Sequence, residues 1–343
     1  MNISIVGLDI AKNVFQAHAE DASGRVVMQK RLSRLKVKAF FEKLPPCIVA
    51  MEACGTSHYW GRVLRELGHE ARLIPAGYVK PFVKRNKKDA RDAAAIRVAA
   101  SRPDMRAVPI KSEEQQAWRG VERARDLLVK QRTQLMNHVR AMIAEFGVVA
   151  AQGYQGFAAL AERLRSPDPG VPEDLAPALR VLLAQIEALT PEIAGIEKTL
   201  EAAAKANPAM RRLTTIPGVG WLTAHAIVAA IGEGRQFSRG RDFAAWVGLT
   251  PRESSSAGKR KDQGVSRQGE SRLRKLLALG AATIMRNARA KPERATAWRR
   301  GILARRPMKV AVLAQAAKTA RIAWAVLVSG ASYREPAATR AAV

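Results

Sequence analysis

Four carboxylates and three serines are the residues of this sequence best placed to do chemistry. Asp9 ends the run ISIVGLD, Glu52 lies in CIVAMEAC, and Asp89 and Asp92 stand three apart in KKDARDAAAI. Ser254, Ser255 and Ser256 follow much later, in GLTPRESSSAGKRK. Carboxylate oxygens suit Mg²⁺, with water or phosphate completing its octahedron. Paired ions of this kind orient an attacking oxygen and stabilise a leaving one. A serine hydroxyl is a poor nucleophile until it is activated, and nearby cations can stabilise its alkoxide and the transition state. Together the two clusters predict phosphoryl transfer that breaks and rejoins nucleic acid strands.

Each cluster also has a plainer reading. An Asp after a strand is commonly a turn or cap residue. Glu52 is more informative, because a buried carboxylate without a partner is costly. Asp89 and Asp92 share one helix face. Lys80, Lys84, Arg85, Lys87, Lys88 and Arg91 surround them and can either balance the acids without metal or hold substrate phosphates. The serines can equally form a flexible loop against a nucleic acid backbone.

The elements that must position the acids are alternating strands and helices over residues 1–100. ISIVGLDI is short, apolar and rich in β-branched residues, a buried strand. VFQAHAED and RVVMQKRL, separated by the turn signal DASG, complete an antiparallel meander. VKAFFEKL is an amphipathic helix, CIVAMEAC a buried strand, SHYWGRVLRELG a helix capped by Ser57 and stopped at Gly68. HEARLIPA is a fifth strand, and the alanine-rich segment from Lys88 to Ala100 is helical. Asp9 and Glu52 thus end two strands, and the Asp pair opens a helix. This is the element order of a ribonuclease H-like domain, and the same order also suits other α/β folds.

Residues 111–147 form a long helical stretch. Positions 118, 121, 125, 128, 132, 135, 139, 142 and 146 alternate spacings of three and four, and all are apolar except Arg125 and Arg132. The stripe predicts a helical hairpin or coiled-coil seam, or a helix packed on its own domain. SPDPGVPED, at 166–174, is a linker or hairpin tip, and residues 175–206 are helical again. The chain from 208 onward reads as mostly helical with basic loops. Within it, LTTIPGVGWLTAHAIVAAI has the pattern of a helix-hairpin-helix. Gly218 and Gly220 allow a tight turn whose N–H groups can bind phosphate; the alternative is a simple turn between packed helices. Between Arg252 and Lys275 stand eight Lys or Arg against three acids.

Composition agrees with a polyanionic partner. The chain has 343 residues, 48% of them apolar, and a formal net charge of +28. The apolar share excludes a disordered basic tail, and the charge points to DNA or RNA. Two cysteines, Cys47 and Cys54, without a CxxC pair, argue against zinc or a structural disulfide. No secretory leader or uncharged membrane-length run is evident, so a soluble, cytoplasmic protein without a membrane partner is expected.

The ordered set GLDIAK, MEACGTSHYW, KKDARDAAAI, IPGVGWLTA, GLTPRESSSAGK, SRQGESRLRKLL and KVAVLAQAAKTARIAWAVL resembles insertion-sequence family one-ten, most closely its subgroup eleven-eleven, over about residues 3–333. The resemblance implies a RuvC-type, ribonuclease H-like domain (1–108), a helical coiled-coil-like region (109–207), a mostly α transposase domain with a helix-hairpin-helix (208–335) and a tail (336–343). It implies a DEDD metal site of Asp9, Glu52, Asp89 and Asp92 for Mg²⁺. It also implies a serine that becomes covalently attached to DNA. The family's serine stands before glycine; here the pair is Ser256–Ala257, which makes Ser256 the first candidate and Ser255 the alternative. The expected nucleic-acid contacts are Lys84, Arg85, Lys87, Lys88, Gly218, Gly220, Lys259, Arg260, Lys261, Arg267 and Arg272. Expected partners are double-stranded DNA of the element ends and target, a structured guide (bridge) RNA, and further copies of the chain in a dimer or tetramer. Two other readings stand beside this one: a metal nuclease or junction resolvase that uses water, and a non-catalytic nucleic-acid scaffold.

Overall fold

Five short strands with apolar inward positions build the sheet that carries the acids. They are β1 (Ile5–Asp9), β2 (Val14–Glu20), β3 (Val26–Ser33), β4 (Ile48–Glu52) and β5 (Glu70–Ile74). The sheet order is β3-β2-β1-β4-β5, antiparallel through the meander and parallel from β1 to β5. This computed structural model describes residues 3–83, 89–256 and 259–335. The chain divides into two compact units, Met1–Glu114 and Gln115–Val343.

Both faces of the first unit's sheet are covered, as parallel strands require. On one face, α1 (Val37–Glu42) and α2 (Ser57–Glu66) pack Phe41, Trp60 and Leu64 against Val6, Leu8, Phe15, Val49 and Met51. On the other, α4 (Asp89–Ala100) lays Ala95, Ile96 and Ala99 over Ile5 and Ala50, with the short α3 (Ala76–Val79) beside it. Each fully buried large side chain contributes about 1.5–3 kcal/mol. The cap of α2 differs from expectation. Thr56, with φ +68°, is the N-cap, and the Ser57 hydroxyl instead donates to the Cys54 carbonyl.

The α4 helix sits unusually close. Half of its residues are alanine, which gives it a smooth face. A methyl group at Gly7 of β1 would fall 2.1 Å from the Ala93 carbonyl oxygen and 2.8 Å from Arg97 Cβ. Farther along α4, Arg97 reaches the buried Glu20 carboxylate at 2.6 Å. Glu20 pairs with Ile5, at the start of β1. The helix therefore runs against β1, and its first turn heads toward the Asp9 end.

Among the described residues, the second unit is helical apart from one hairpin. The long α5 (Glu113–Ala144), which begins at the unit boundary, α6 (Gly153–Leu164) and α7 (Ala176–Ala206) share a core of Met136, Val139, Ile143, Phe157, Leu160, Leu183 and Ile186. The buried face is rotated from the predicted stripe: Met136 and Ile143 are buried, while Phe146 lies past the helix end and is exposed. The two arginines that interrupt the stripe are used within the chain. Arg125 Nε donates to Glu197 of α7 at 2.9 Å, and Arg132 donates to Thr190 of α7 and lies over the Tyr154 ring. Part of the stripe, Leu135 and Val139, thus packs on α6 and α7 of this chain.

Next come α8 (Pro208–Thr214), α9 (Trp221–Ile231), α10 (Gly240–Val247), the hairpin β6 (Pro251–Ser256) and β7 (Lys259–Val265), then α11 (Ser271–Ala290), α12 (Ala297–Arg305) and α13 (Met308–Ser329). The apolar α9 is buried on nearly every side, as such a helix must be, among Leu213, Phe243, Leu273 and Leu277. By length and composition α13 is long and apolar enough to cross a membrane. It packs instead on this core through Ala316, Ala320 and Ala323, with Gln315 and Thr319 buried and hydrogen-bonded to each other.

Two outcomes test these contacts. Gly7→Ala forces α4 off β1 and lowers stability by roughly 1–3 kcal/mol, read from urea denaturation; an unchanged midpoint refutes the close packing. The second concerns His58 in α2. Burial, then the charges of Lys111 and Arg62, push its imidazole down from 6.5 to about 4. Between those values the unfolded chain binds the proton and the folded chain does not, so stability falls as pH drops from 6.5 toward 4. The melting temperature of His58→Gln should depend less on pH across that window than that of the natural chain.

Candidate active site and nucleic-acid interface

Asp9 and Glu52 are brought together by register. Leu8 pairs with Met51 in the parallel β1–β4 ladder, so the next step along each strand sets Asp9 beside Glu52. Neighbouring strands lie about 4.8 Å apart, and side chains two apart share a face. Gly7 and Ala50 both face α4. Asp9 and Glu52, two residues on, therefore project from that same face, at the carboxyl ends of the strands where open α/β sheets bind ligands. Both are partly exposed. Cys54 reports their field: burial raises its thiol pKa first, then the charges of Glu52 and Asp9.

The Asp-x-x-Asp pair opens α4, whose first turn heads toward the same sheet end. Asp92 is partly exposed one residue before Ala93, the residue pressed on Gly7. Asp89 is placed by its backbone alone. Among the described residues, no three His, Cys, Asp or Glu side chains are gathered closely enough to form a closed metal cage. The pair Asp9–Glu52 is nevertheless the kind of donor set Mg²⁺ takes, since that ion binds through one or two carboxylates and keeps several waters. Lys84, Arg85, Lys87 and Lys88 lie outside the described residues.

The serines stand on a strand, a correction to the expected loop. In the β6–β7 ladder Ser254 pairs with Lys261, Ser255 with Arg260 and Ser256 with Lys259. The segment PRESSSAGKRKDQGV lacks apolar alternation and strand-forming residues, so pairing rather than propensity makes it a hairpin. Its base is held by glycines. A methyl at Gly269 would lie 1.8 Å from the Trp246 carbonyl oxygen, and one at Gly248 would lie 2.1 Å from that of Gln268. Between them Arg267 is exposed, with φ +55°.

Arg272 has a different environment from that expected of a nucleic-acid contact. Its guanidinium lies 2.9 Å from Glu122 Oε2 and donates to Asp126 at 2.6 Å, with only 12% of the side chain exposed. Glu122 is fully buried and also meets His225 Nδ1 at 2.7 Å, while Arg119 bridges to Glu270 at 2.7 Å. This cluster ties α5, α9 and the start of α11 together. Sequence reasoning missed it, although a Glu amid the stripe and a His inside WLTAHAIVAAI were its signals.

The predicted helix-hairpin-helix is a pair of helices, α8 and α9, joined by a glycine turn. Gly218, at φ +77°, lies against α11, where a methyl would meet the Gly280 carbonyl oxygen at 2.9 Å. That glycine is required by packing. Gly220, the N-cap of α9, has open space where a side chain would stand and makes no side-chain cap.

Comparison with known proteins places these parts in one family. Residues 6–147, which span all four acids, match a transposase model of the DEDD type, and the five-stranded sheet there fits a ribonuclease H-like fold. Residues 210–297, which span the glycine turn and the serines, match the model described as "Transposase IS116/IS110/IS902 family". Over 97% of its length the chain is 45% identical to a "Probable family 20 transposase" of Pseudomonas aeruginosa, covering 99% of that protein. It is 38% identical to the "Transposase for insertion sequence element IS1111A" of Coxiella burnetii, over 97% of this chain and 92% of that one. It is 37% identical to the "Transposase for insertion sequence element IS1328" of Yersinia enterocolitica, over 97% and 99% respectively. The chain belongs to the IS116/IS110/IS902 family of transposases, enzymes that cleave and recombine DNA.

Proposed function

We propose that this transposase mobilises its own insertion sequence by cutting and rejoining double-stranded DNA through a covalent phosphoserine link, with Mg²⁺ at Asp9, Glu52, Asp89 and Asp92. The observation that carries the reading is the in-register pair Asp9–Glu52 at the end of the sheet toward which α4 begins. Bound there, the ion supplies charge neutralisation at the scissile phosphate. Asp9 and Glu52 hold it on strands that are rigid because both faces of the sheet are packed, and α4 presents the remaining two carboxylates. Ser256, or Ser255 in its place, attacks phosphorus through Oγ. A Ser–O–P bond forms and one DNA P–O bond breaks; the serine proton is lost to solvent and the departing oxygen takes one up. The phosphodiester count is unchanged, so the reverse attack by a DNA hydroxyl rejoins a strand without ATP. Lys259, Arg260 and Lys261, paired across the hairpin from the serines, supply positive charge to the phosphate.

The net charge of +28 supports a second polyanion beside DNA. We assign that role to a structured guide RNA, and we take the active protein to be a dimer or tetramer of this chain.

Asp9→Asn, Glu52→Gln and Asp92→Asn should each lower DNA cutting by roughly a hundredfold or more while circular dichroism is unchanged. Ser256→Ala should remove the protein–DNA adduct and leave DNA binding intact. Peptide mapping of trapped adduct to Ser255 would move the nucleophile by one residue; cutting with no serine adduct would favour attack by water. A separate measurement reads the carboxylates without activity. Glu52→Gln should lower the Cys54 pKa and speed its alkylation by iodoacetamide at mildly alkaline pH. Cys47, buried with its thiol pushed up to about 11, stays silent in that assay. An alkylation rate unmoved by Glu52→Gln contradicts the shared field.

A further inference from the structure

A second concentration of positive charge lies outside both predicted basic segments. Residues 286–309 hold nine Lys or Arg and one acid, Glu293. They form the end of α11, a 3₁₀ turn at Pro292–Arg294, α12 and the first residues of α13. A cleft of about 390 Å³ opens there, in the size range of small-molecule sites, roughly 300–1,000 Å³. Its apolar wall is Pro217, Ile284 and Ala288; Asn287 supplies a carboxamide; Lys291 and Arg294 stand exposed at its edge.

The cleft is built rather than incidental. One wall exists because the Pro217–Gly218 turn presses on α11. A methyl at Gly280 would lie 1.9 Å from the Gly218 carbonyl oxygen, and one at Gly218 would lie 2.6 Å from Ile284 Cδ1. The opposite wall is fastened from α12. Arg300 donates to the carbonyls of Pro292 and Ala295, and the Thr296 hydroxyl caps α12 by accepting from the Arg299 N–H. Arg299 forms the back, held by the Gln315 carboxamide at 3.3 Å and Glu335 at 3.6 Å. Among the described residues, Lys291 and Arg294 have no acidic partner. Cations at a helix carboxyl end are stabilised by the helix dipole, which explains Lys291. It does not explain an apolar recess beside the cations.

We infer that this cleft binds one nucleotide of single-stranded DNA, its phosphate on Lys291 and Arg294 and its base against Ile284, Ala288 and Pro217. Positive charge beside an apolar wall is the pairing that single strands require: a groove for the backbone and a surface for the base. A duplex keeps its bases stacked and has none to offer a recess of this size. The choice of DNA rests on membership of a DNA-transposing family; the binding itself needs neither the metal site nor the serine.

Fluorescence anisotropy with the full chain in EDTA, where strand cutting is off, isolates the binding. The probe is a labelled hexathymidylate, compared with a fully abasic hexamer of the same backbone. Ala290→Trp, at an exposed position lining the cleft, should fill it and weaken hexathymidylate roughly tenfold while sparing the abasic strand. Lys291→Ala with Arg294→Ala should weaken both strands and flatten the salt dependence. A 5-iododeoxyuridine strand should photocrosslink within residues 284–299. Unchanged affinity in both variants, or crosslinks confined to other segments, overturns the site. Tighter binding of hexauridylate than of hexathymidylate overturns the assignment to DNA.

Discussion

The contact between α4 and β1 at Gly7 is the constraint on which the carboxylate site depends. A helix usually stands off a sheet by the length of two side chains. Here a missing Cβ on the strand, met by the backbone of Ala93, removes one of them. The Arg97–Glu20 ion pair then fixes how far α4 slides along the sheet. Glu20 is buried and would be costly to leave unpaired, so the slide has one favourable stop. That stop determines where the first turn of α4 lies relative to Asp9 and Glu52. A larger residue at Gly7 would push the first turn of α4 away from the strand end that carries Asp9.

The second unit is organised by a buried charge. Glu122 is removed from water on a helix otherwise packed through apolar residues, and it is offset by His225 and Arg272, with Arg119 and Asp126 extending the cluster. Such groups are strongly destabilising when one partner is lost, so the arrangement selects a single seating of α5 against α9 and α11. Glu270 and Arg272 flank the first residue of α11, immediately after the glycine-locked turn that closes the serine hairpin. The hairpin is thereby anchored at its base to α5 and α9. The covalent link we propose needs its serine held at a defined place, and a two-stranded hairpin alone is only marginally stable.

Positive charge is distributed by the fold in a way its total conceals. Some arginines are consumed internally, as Arg97, Arg119, Arg125 and Arg272 are. Others remain in exposed segments, and the stretch around α12 carries several. Arginine serves both purposes because its planar fork satisfies a buried carboxylate as well as it satisfies a phosphate. The type of residue therefore does not reveal which arginines meet nucleic acid; burial and partners do.

Local pattern determined much of the first unit. Apolar runs of β-branched residues, the DASG turn and the helix stops gave the five strands in chain order, an antiparallel meander and then βαβ units, because those runs mark where each strand starts and stops; the lateral order β3-β2-β1-β4-β5 comes from pairing. The placement of Asp9 and Glu52 at strand ends was legible for the same reason. What the sequence left open needed contacts between distant segments. The partners of Arg125 and Arg132 lie on α7, roughly sixty to seventy residues away, so the stripe on α5 could not name them. Arg272 reads as a free cation until Glu122 is folded against it. The serine segment has no strand signature, since its pairing comes from closure of the hairpin and not from propensity. Gly218 looks like a phosphate turn until Gly280 is brought against it. In each case the deciding energy is long-range, burial or ion pairing, and only the tertiary structure contains it.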